Sequence, residues 1–179
     1  METGIVQARI ATLLLPDEID ILRNYVELLT LADPLKVIIE WERMLDHPMA
    51  SLEDREKLVR HCLNLARAKT NAKGDKSRVL AMTVAKRQLL GLIEKNDWVI
   101  LPASVLLRAE FLAEVGESGQ SLKLVTKLLE QTGIDSPDVV FLYAKLATHL
   151  GHDKHLVEAG RLLAGIARQP DTNGLEAIR

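Results

Sequence analysis

Aromatic side chains are scarce in this chain: two Trp, two Tyr and two Phe make up 3% of 179 residues. A core short of aromatics must be filled by Leu, Val, Ile and Ala, the palette of helix-on-helix packing, whereas sheets lean on aromatic and β-branched residues. Cysteine is scarcer still. Cys62 stands alone, so no intrachain disulfide can form, which is compatible with a reducing compartment. The N-terminus lacks the basic start of a signal peptide, and Leu13-Leu14-Leu15 is too short for its apolar stretch. No run approaches the roughly 18–20 apolar residues needed to cross a bilayer. A cytoplasmic protein without membrane insertion, or a soluble piece of a longer one, is therefore expected.

Charge of one sign does not dominate either. Lys and Arg number 23 against 25 Asp and Glu, a net charge of −2, so the whole molecule is not an electrostatic nucleic-acid binder. Catalytic signatures are missing. There is no Gly-x-Ser-x-Gly, no paired-cysteine metal motif and no dinucleotide fingerprint. Lys73-Gly74-Asp75-Lys76 lacks the glycine spacing and the preceding strand of a phosphate-cradling loop. Carboxylates fall on helix faces and first turns, not as an isolated pair among apolar residues. Neither an enzyme nor a cofactor is expected.

What is present is a series of helix starts and stops. Hydrophobic residues make up 47% and charged residues 27%, a globular balance long enough for one domain with a real core. Pro16 with Asp17, Glu18 and Asp20 reads as a first turn, followed by Ile19, Leu22, Tyr25, Val26 and Leu29 at helical spacing. Asp33-Pro34 restarts the chain as N-cap and first helical residue, with Leu35, Ile38, Ile39, Trp41 and Leu45 following before Pro48. Ser51 with Asp54 is a relative of the capping box, ahead of Leu58, Cys62 and Leu65. After the polar stretch 70–76, a long helix carries Val79, Met82, Leu89, Leu90 and Ile93, and Trp98 and Ile100 are expected to pack at the next joint.

Two further hairpins follow. The first runs from about Pro102 to Gly133 and turns at Gly116 to Gly119; the second opens on Ser136-Pro137-Asp138 and turns at Gly151. Val139, Val140, Leu142, Tyr143, Leu146 and Ala147 are apolar nearly all round, which predicts a helix sandwiched between neighbours. No alternating segment bounded by hairpin turns supports a strand. The hairpins are placed at about 17–47, 51–96, 102–133 and 136–169 within a single domain, with 170–179 a tail or the start of another helix.

The last two hairpins share a register. Ala109 and Ala144 are 35 residues apart, as are Gly116 and Gly151, a period within the range of two-helix repeats. A small residue suits the crossing and a glycine suits the turn. These pairs, with Ser121, Val125 and Leu128 in the second helix, resemble the tetratricopeptide repeat. Tyr25, Ala32, Val37, Trp41, Met44 and Pro48 fit the same frame more loosely. The last hairpin needs about three extra residues between Gly151 and Ala159 to keep register, the central pair is too long for a standard repeat, and the family's first-helix tryptophan is absent.

The resemblance implies an all-α fold, a right-handed α-solenoid of about four stacked antiparallel hairpins whose concave groove receives a peptide or partner protein. In that geometry Asn24, Arg108, Phe111, Tyr143 and Lys145 would line the groove. No polar capping helix is obvious at the C-terminal end, which implies truncation from a longer protein or a homodimer that covers the end.

Two other chemistries are weighed on residues. His149, His152 and His155 form a triply spaced run with Asp153 and Glu158 nearby; imidazoles bind zinc or copper, which would support a metal-dependent activity. Gly151 interrupts the helix between them, so three solvated turn residues and no metal are expected. Cys62 lies beside His61, but adjacent helical residues point apart, and an inert core thiol is expected.

Charge is uneven along the chain. Residues 1–50 hold four Lys and Arg against nine Asp and Glu, residues 51–96 hold eleven against five, and residues 97–179 hold eight against eleven. The central basic residues include Arg67, Lys69, Lys73, Lys76, Arg78, Lys86 and Arg87, which would suit an acidic peptide, a phosphate backbone or a second subunit. A solvated helix pair balanced by acidic neighbours is the simpler reading, and single-stranded nucleic acid is disfavoured further because few aromatics are available to stack on bases.

Overall fold

The computed structural model of the protein describes residues 2–68, 76–95, 102–132 and 136–168. Every regular element among them is an α-helix, and none of these helices is long and apolar enough to cross a membrane. The chain divides into two compact units, residues 1–97 and 98–179. In the first lie α1 (Glu2–Leu14), α2 (Ile19–Thr30), α3 (Pro34–Leu45), α4 (Leu52–Ala68) and α5 (Lys76–Lys95). In the second lie α6 (Pro102–Glu114), α7 (Ser118–Thr132), α8 (Pro137–Leu150) and α9 (Asp153–Ala167). Within each unit every helix packs on its neighbours in the chain, and α3 also touches α5 and α6 also touches α8. Trp98, Ile100, Lys69, Lys73 and residues 170–179 lie outside the described residues.

The helix starts follow local chemistry. Asp33 accepts from the backbone N–H of Leu35 at 3.2 Å and of Lys36 at 3.0 Å, with Pro34 opening α3. Ser51 and Asp54 form a reciprocal box. The Asp54 N–H donates to Ser51 Oγ at 3.2 Å, and the Ser51 N–H donates back to Asp54 Oδ2 at 2.8 Å. Ser136 sits at the N-cap of α8 in extended conformation, as the sequence predicts, but its side chain makes no capping bond.

Pro16 is not in a first turn. Residues 15–18 form the link after α1, and α2 begins only at Ile19, with Glu18 as its N-cap. The sequence pattern leaves α1 unassigned because its apolar residues fall on every side, so no stripe marks it.

The two turn glycines both adopt positive φ, +86° at Gly116 and +66° at Gly151. They close their helices differently. At Gly116 the Glu117 N–H reaches Leu112 O at 2.8 Å and the Gly116 N–H reaches Ala113 O at 3.2 Å, a Schellman pair. At Gly151 a single bond runs to Ala147 O at 3.0 Å, the simpler left-handed cap.

The first unit's core centres on Tyr25, Val26, Ile38, Trp41, Leu58 and Leu63, and the second on Val125, Leu128, Val140, Tyr143 and Leu146. In α5 the buried stripe is Ala81, Val84, Ala85 and Leu89, while Val79 and Leu90 face solvent at 62% and 52% exposure. The alanines set that helix's orientation, since a small side chain lets α4 approach closely. Ile39 on α3 is likewise outward, with Val37, Ile38, Trp41 and Met44 buried instead.

At the crossing of α6 and α7, Ala109 and Ser121 are fully buried, and the Ser121 hydroxyl donates to Ala109 O at 2.6 Å. Ala159 of α9 is buried eight residues after Gly151, against five between Gly116 and Ser121.

Candidate functional site

The residues expected to line a groove are placed unequally. Asn24 is exposed on α2 in the first unit. On α6 and α8 of the second, Arg108 and Lys145 are exposed and Phe111 is half-buried. Tyr143 is not available to a partner. Only 3% of it is exposed, and its hydroxyl meets His155 Nδ1 at 2.7 Å, with burial pushing the phenol's pKa up. Phe141, two residues earlier and therefore on the other side of α8, is the aromatic that reaches solvent with Lys145.

The three histidines separate by role. His149 is exposed in the last turn of α8, and His152 precedes α9 as its N-cap. His155 packs edge-on to Tyr143, and its ring centroid lies 6.2 Å from that of His152. Among the described residues no group of three or more His, Cys, Asp or Glu is arranged to hold a metal ion. Cys62 is fully buried and its thiol is pushed up to about 12, first by burial and then by Glu42. The neighbouring His61 turns away, its Nε2 lying 3.0 Å from Pro34 O and its ring 6.0 Å from that of Trp41.

One residue of the basic helix pair is tied to a neighbouring helix. Arg87 pairs with Glu42 on α3, Gln88 donates to the same carboxylate at 3.0 Å, and Arg55 donates to Gln88 Oε1. Gly91 makes room for this cluster, since a Cβ there would come within 3.1 Å of Arg55 Nη1. A cavity of about 580 Å³ lies beside the cluster, bordered also by Leu45, Asp46 and Leu90. Among the described residues of the patch, Lys76, Lys86 and Arg87 reach solvent and Arg67 and Arg78 are half-buried.

Helix α1 presents the most conspicuous surface. Ile5, Ala8, Ala11 and Thr12 are half-buried toward its partner α2, and none of its described side chains is fully buried. On the opposite side Val6, Ile10, Leu13 and Leu14 are 56%, 50%, 67% and 73% exposed. At 100° per residue these four span an arc of about 100°. An apolar face of that width belongs against another element rather than water.

The C-terminal end of this face opens on a cavity of about 280 Å³, walled by Leu13, Pro16, Leu22 and the Tyr25 ring, with Glu40, Arg43 and Asp46 at its polar side. Tyr25 is 3% exposed and its hydroxyl has no hydrogen-bond partner among the described residues. His47 holds the cavity's loops together: its Nε2 lies 3.1 Å from Asp17 O, and its Nδ1 accepts from the Met49 N–H at 3.1 Å.

The sequence does not single out this face: Leu13 and Leu14 read only as part of a short leucine run, and Val6 and Ile10 are not marked. The signal available was apolar residues at i, i+4 and i+7 (Val6, Ile10, Leu13) with no second stripe polar enough to oppose them. No protein-family model matches the chain, no curated protein matches it, and no solved structure matches it.

Proposed function

We propose that the protein is a non-enzymatic protein–protein interaction module, a tetratricopeptide-like scaffold or adaptor whose helical hairpins stack as an α-solenoid and present a surface to a peptide or partner protein. The all-helical fold, the 35-residue register of the two C-terminal hairpins and the turn glycines at positive φ support the repeat reading.

The observation that carries the functional reading is the outer face of α1. Four large apolar side chains, each at least half exposed, lie along one side of a helix whose other side is already packed. Contiguous apolar surface of this kind marks interaction sites in folded proteins.

Arg108 on α6 and Phe141 and Lys145 on α8 are exposed and available to a partner. With Tyr143 buried, Phe141 takes over the aromatic role on α8.

The test is affinity purification from the native cell with the full chain and with Ile10→Ser/Leu13→Ser as bait, followed by reconstitution with the purified candidate. A protein that binds the wild type directly and loses at least tenfold in affinity for the double variant supports the reading. A wild-type bait that retains nothing beyond what the double variant retains refutes it.

A further inference from the structure

The charges around the α1 face identify the kind of partner it takes. Resting on the interaction-module reading, we infer that the outer face of α1 docks a basic amphipathic helix of a partner protein, with one of its long side chains entering the cavity beside Tyr25.

Three observations converge on that occupant. The first is shape. The exposed positions Val6, Ile10, Leu13 and Leu14 cover two turns of helix, about 12 Å at 1.5 Å per residue. A partner helix with anchors at i, i+3 or i+4, and i+7 matches that length.

The second is charge. Asp17 and Glu18 lie in the link between α1 and α2 and are exposed, and Asp46 and Glu40 border the cavity that Leu13 also lines. Against these four carboxylates stand Arg43, 4.0 Å from Glu40, Arg9, which is exposed on α1 and close enough to act on the Tyr25 hydroxyl, and His47, which is engaged with the loops, so carboxylates outnumber guanidinium groups four to two. The carbonyl ends of both α1 and α3 also lie at this cavity, since it is lined by Thr12 and Leu13 of the one and by Arg43 of the other with its C-cap Asp46. Helix C-termini carry partial negative charge. Residues 1–50 as a whole hold nine acidic against four basic residues.

The third is the cavity's mixed wall. Leu13, Pro16, Leu22 and the Tyr25 ring are apolar, while the carboxylates stand at the polar side. A Lys or Arg places its aliphatic stem along such a wall and its cationic head among the carboxylates. An acidic helix would meet a net like charge at this end of the face, and a second copy of α1 would bring the same acidic loop against itself.

The measurement uses the full chain and two synthetic 14-residue helical peptides with identical leucine positions, one carrying Lys and the other Glu elsewhere, with binding read by fluorescence anisotropy. The Lys peptide is expected to bind at least tenfold more tightly than the Glu peptide. Ile10→Ser/Leu13→Ser should weaken it at least tenfold, and Asp17→Asn/Asp46→Asn should weaken it severalfold while reducing its salt dependence. All these positions are exposed, and unchanged helical circular dichroism confirms that the variants fold.

If both peptides bind equally and both are lost with Ile10→Ser/Leu13→Ser, the face docks helices but does not select basic ones. That overturns this inference and leaves the interaction-module reading standing. If Lys-peptide affinity is indifferent to Ile10→Ser/Leu13→Ser, the face is not the site, and the inference is overturned. If sedimentation shows a dimer that these substitutions dissociate, the occupant is a second copy, which also overturns it.

Discussion

The pair formed by Arg23 and Asp54 gives the sharpest test of how the first unit is held. Arg23 on α2 donates through Nε to Asp54 Oδ1 at 3.0 Å and through Nη2 to Oδ2 at 2.8 Å, while the Ser51 N–H and hydroxyl each reach Oδ2 at 2.8 Å. The Asp54 side chain is 4% exposed and that of Arg23 is 32% exposed. Burial by itself would push the carboxyl up, but the bonds from Arg23 and Ser51 outweigh it and hold the group at about 2, against 3.8 in an open chain.

A shift of that size is worth about 2.5 kcal/mol through linkage. The folded-state value is depressed, so this stability is present above pH ~4 and is lost as the pH falls toward 2. Arg23→Met keeps the aliphatic stem and strands the carboxylate. Breaking a buried pair costs about 3–5 kcal/mol, and partial exposure of the guanidinium brings the expectation down to about 2–3 kcal/mol at pH 7.

Urea unfolding of wild type, Arg23→Met, Asp54→Asn and the double variant closes the cycle. The wild type should lose about 2 kcal/mol more than Asp54→Asn between pH 5 and pH 2.5. A cost below about 0.5 kcal/mol for Arg23→Met at pH 7, the level of an ordinary surface change, or parallel pH profiles for wild type and Asp54→Asn, refutes the reasoning.

Four other outcomes follow from named contacts. Cys62, fully buried with its thiol held near 12, should react with a thiol reagent at pH 8 only as fast as the first unit opens, so urea below the transition should accelerate labelling in step with the opening equilibrium. Ser121→Ala should cost about 1 kcal/mol for the lost bond to Ala109 O, and Ser121→Leu about 1–3 kcal/mol from overpacking, both read by thermal melting. Gly151→Ala should destabilise by about 1–2 kcal/mol because φ is +66° there with open space around the Cβ position, so backbone strain alone sets the cost. Amides of α1, which has no fully buried side chain among those described, should exchange with solvent faster than those of α2 and α3, and should slow when the Lys peptide is bound.

Much of the helical layout was legible from residues at helix ends. Asp33-Pro34, Ser51 with Asp54, Ser136-Pro137 and the glycines 116 and 151 all mark real boundaries, because end signals act within one turn and need no tertiary information. Orientation about a helix axis was less legible. The apolar residues Val79 and Leu90 suggested one face for α5, yet Ala81, Val84 and Ala85 are the buried ones. Alanine carries little hydrophobic weight in a sequence but permits the closest approach between helices, and only the packed structure reveals which demand prevailed.

Tyr143 failed for a related reason. Its polar tip suggested an outward role, but His155, twelve residues on, satisfies that hydroxyl in the interior. The cluster of Glu42, Arg55, Arg87 and Gln88 joins residues up to 46 apart in the chain, so no local pattern announces it.

The contrast between α1 and α8 connects the fold to the proposed function. Both helices are apolar on nearly all sides, and a helix of that kind requires a neighbour on each. For α8 the chain itself supplies them: α6, α7 and α9 all pack on it, and six of its residues are buried. For α1 the chain supplies α2, and the opposite face is left with four side chains at least half exposed. A periodicity that reports how much cover a helix needs is silent on who provides it. Where the cover comes from within, the pattern reads as core; where it does not, the same pattern reads as a binding surface. The acidic loop at Asp17 and Glu18 and the cavity against Tyr25 then bias that surface toward one sign of partner. This bias is a property of the loops between helices, which the apolar stripe alone does not encode.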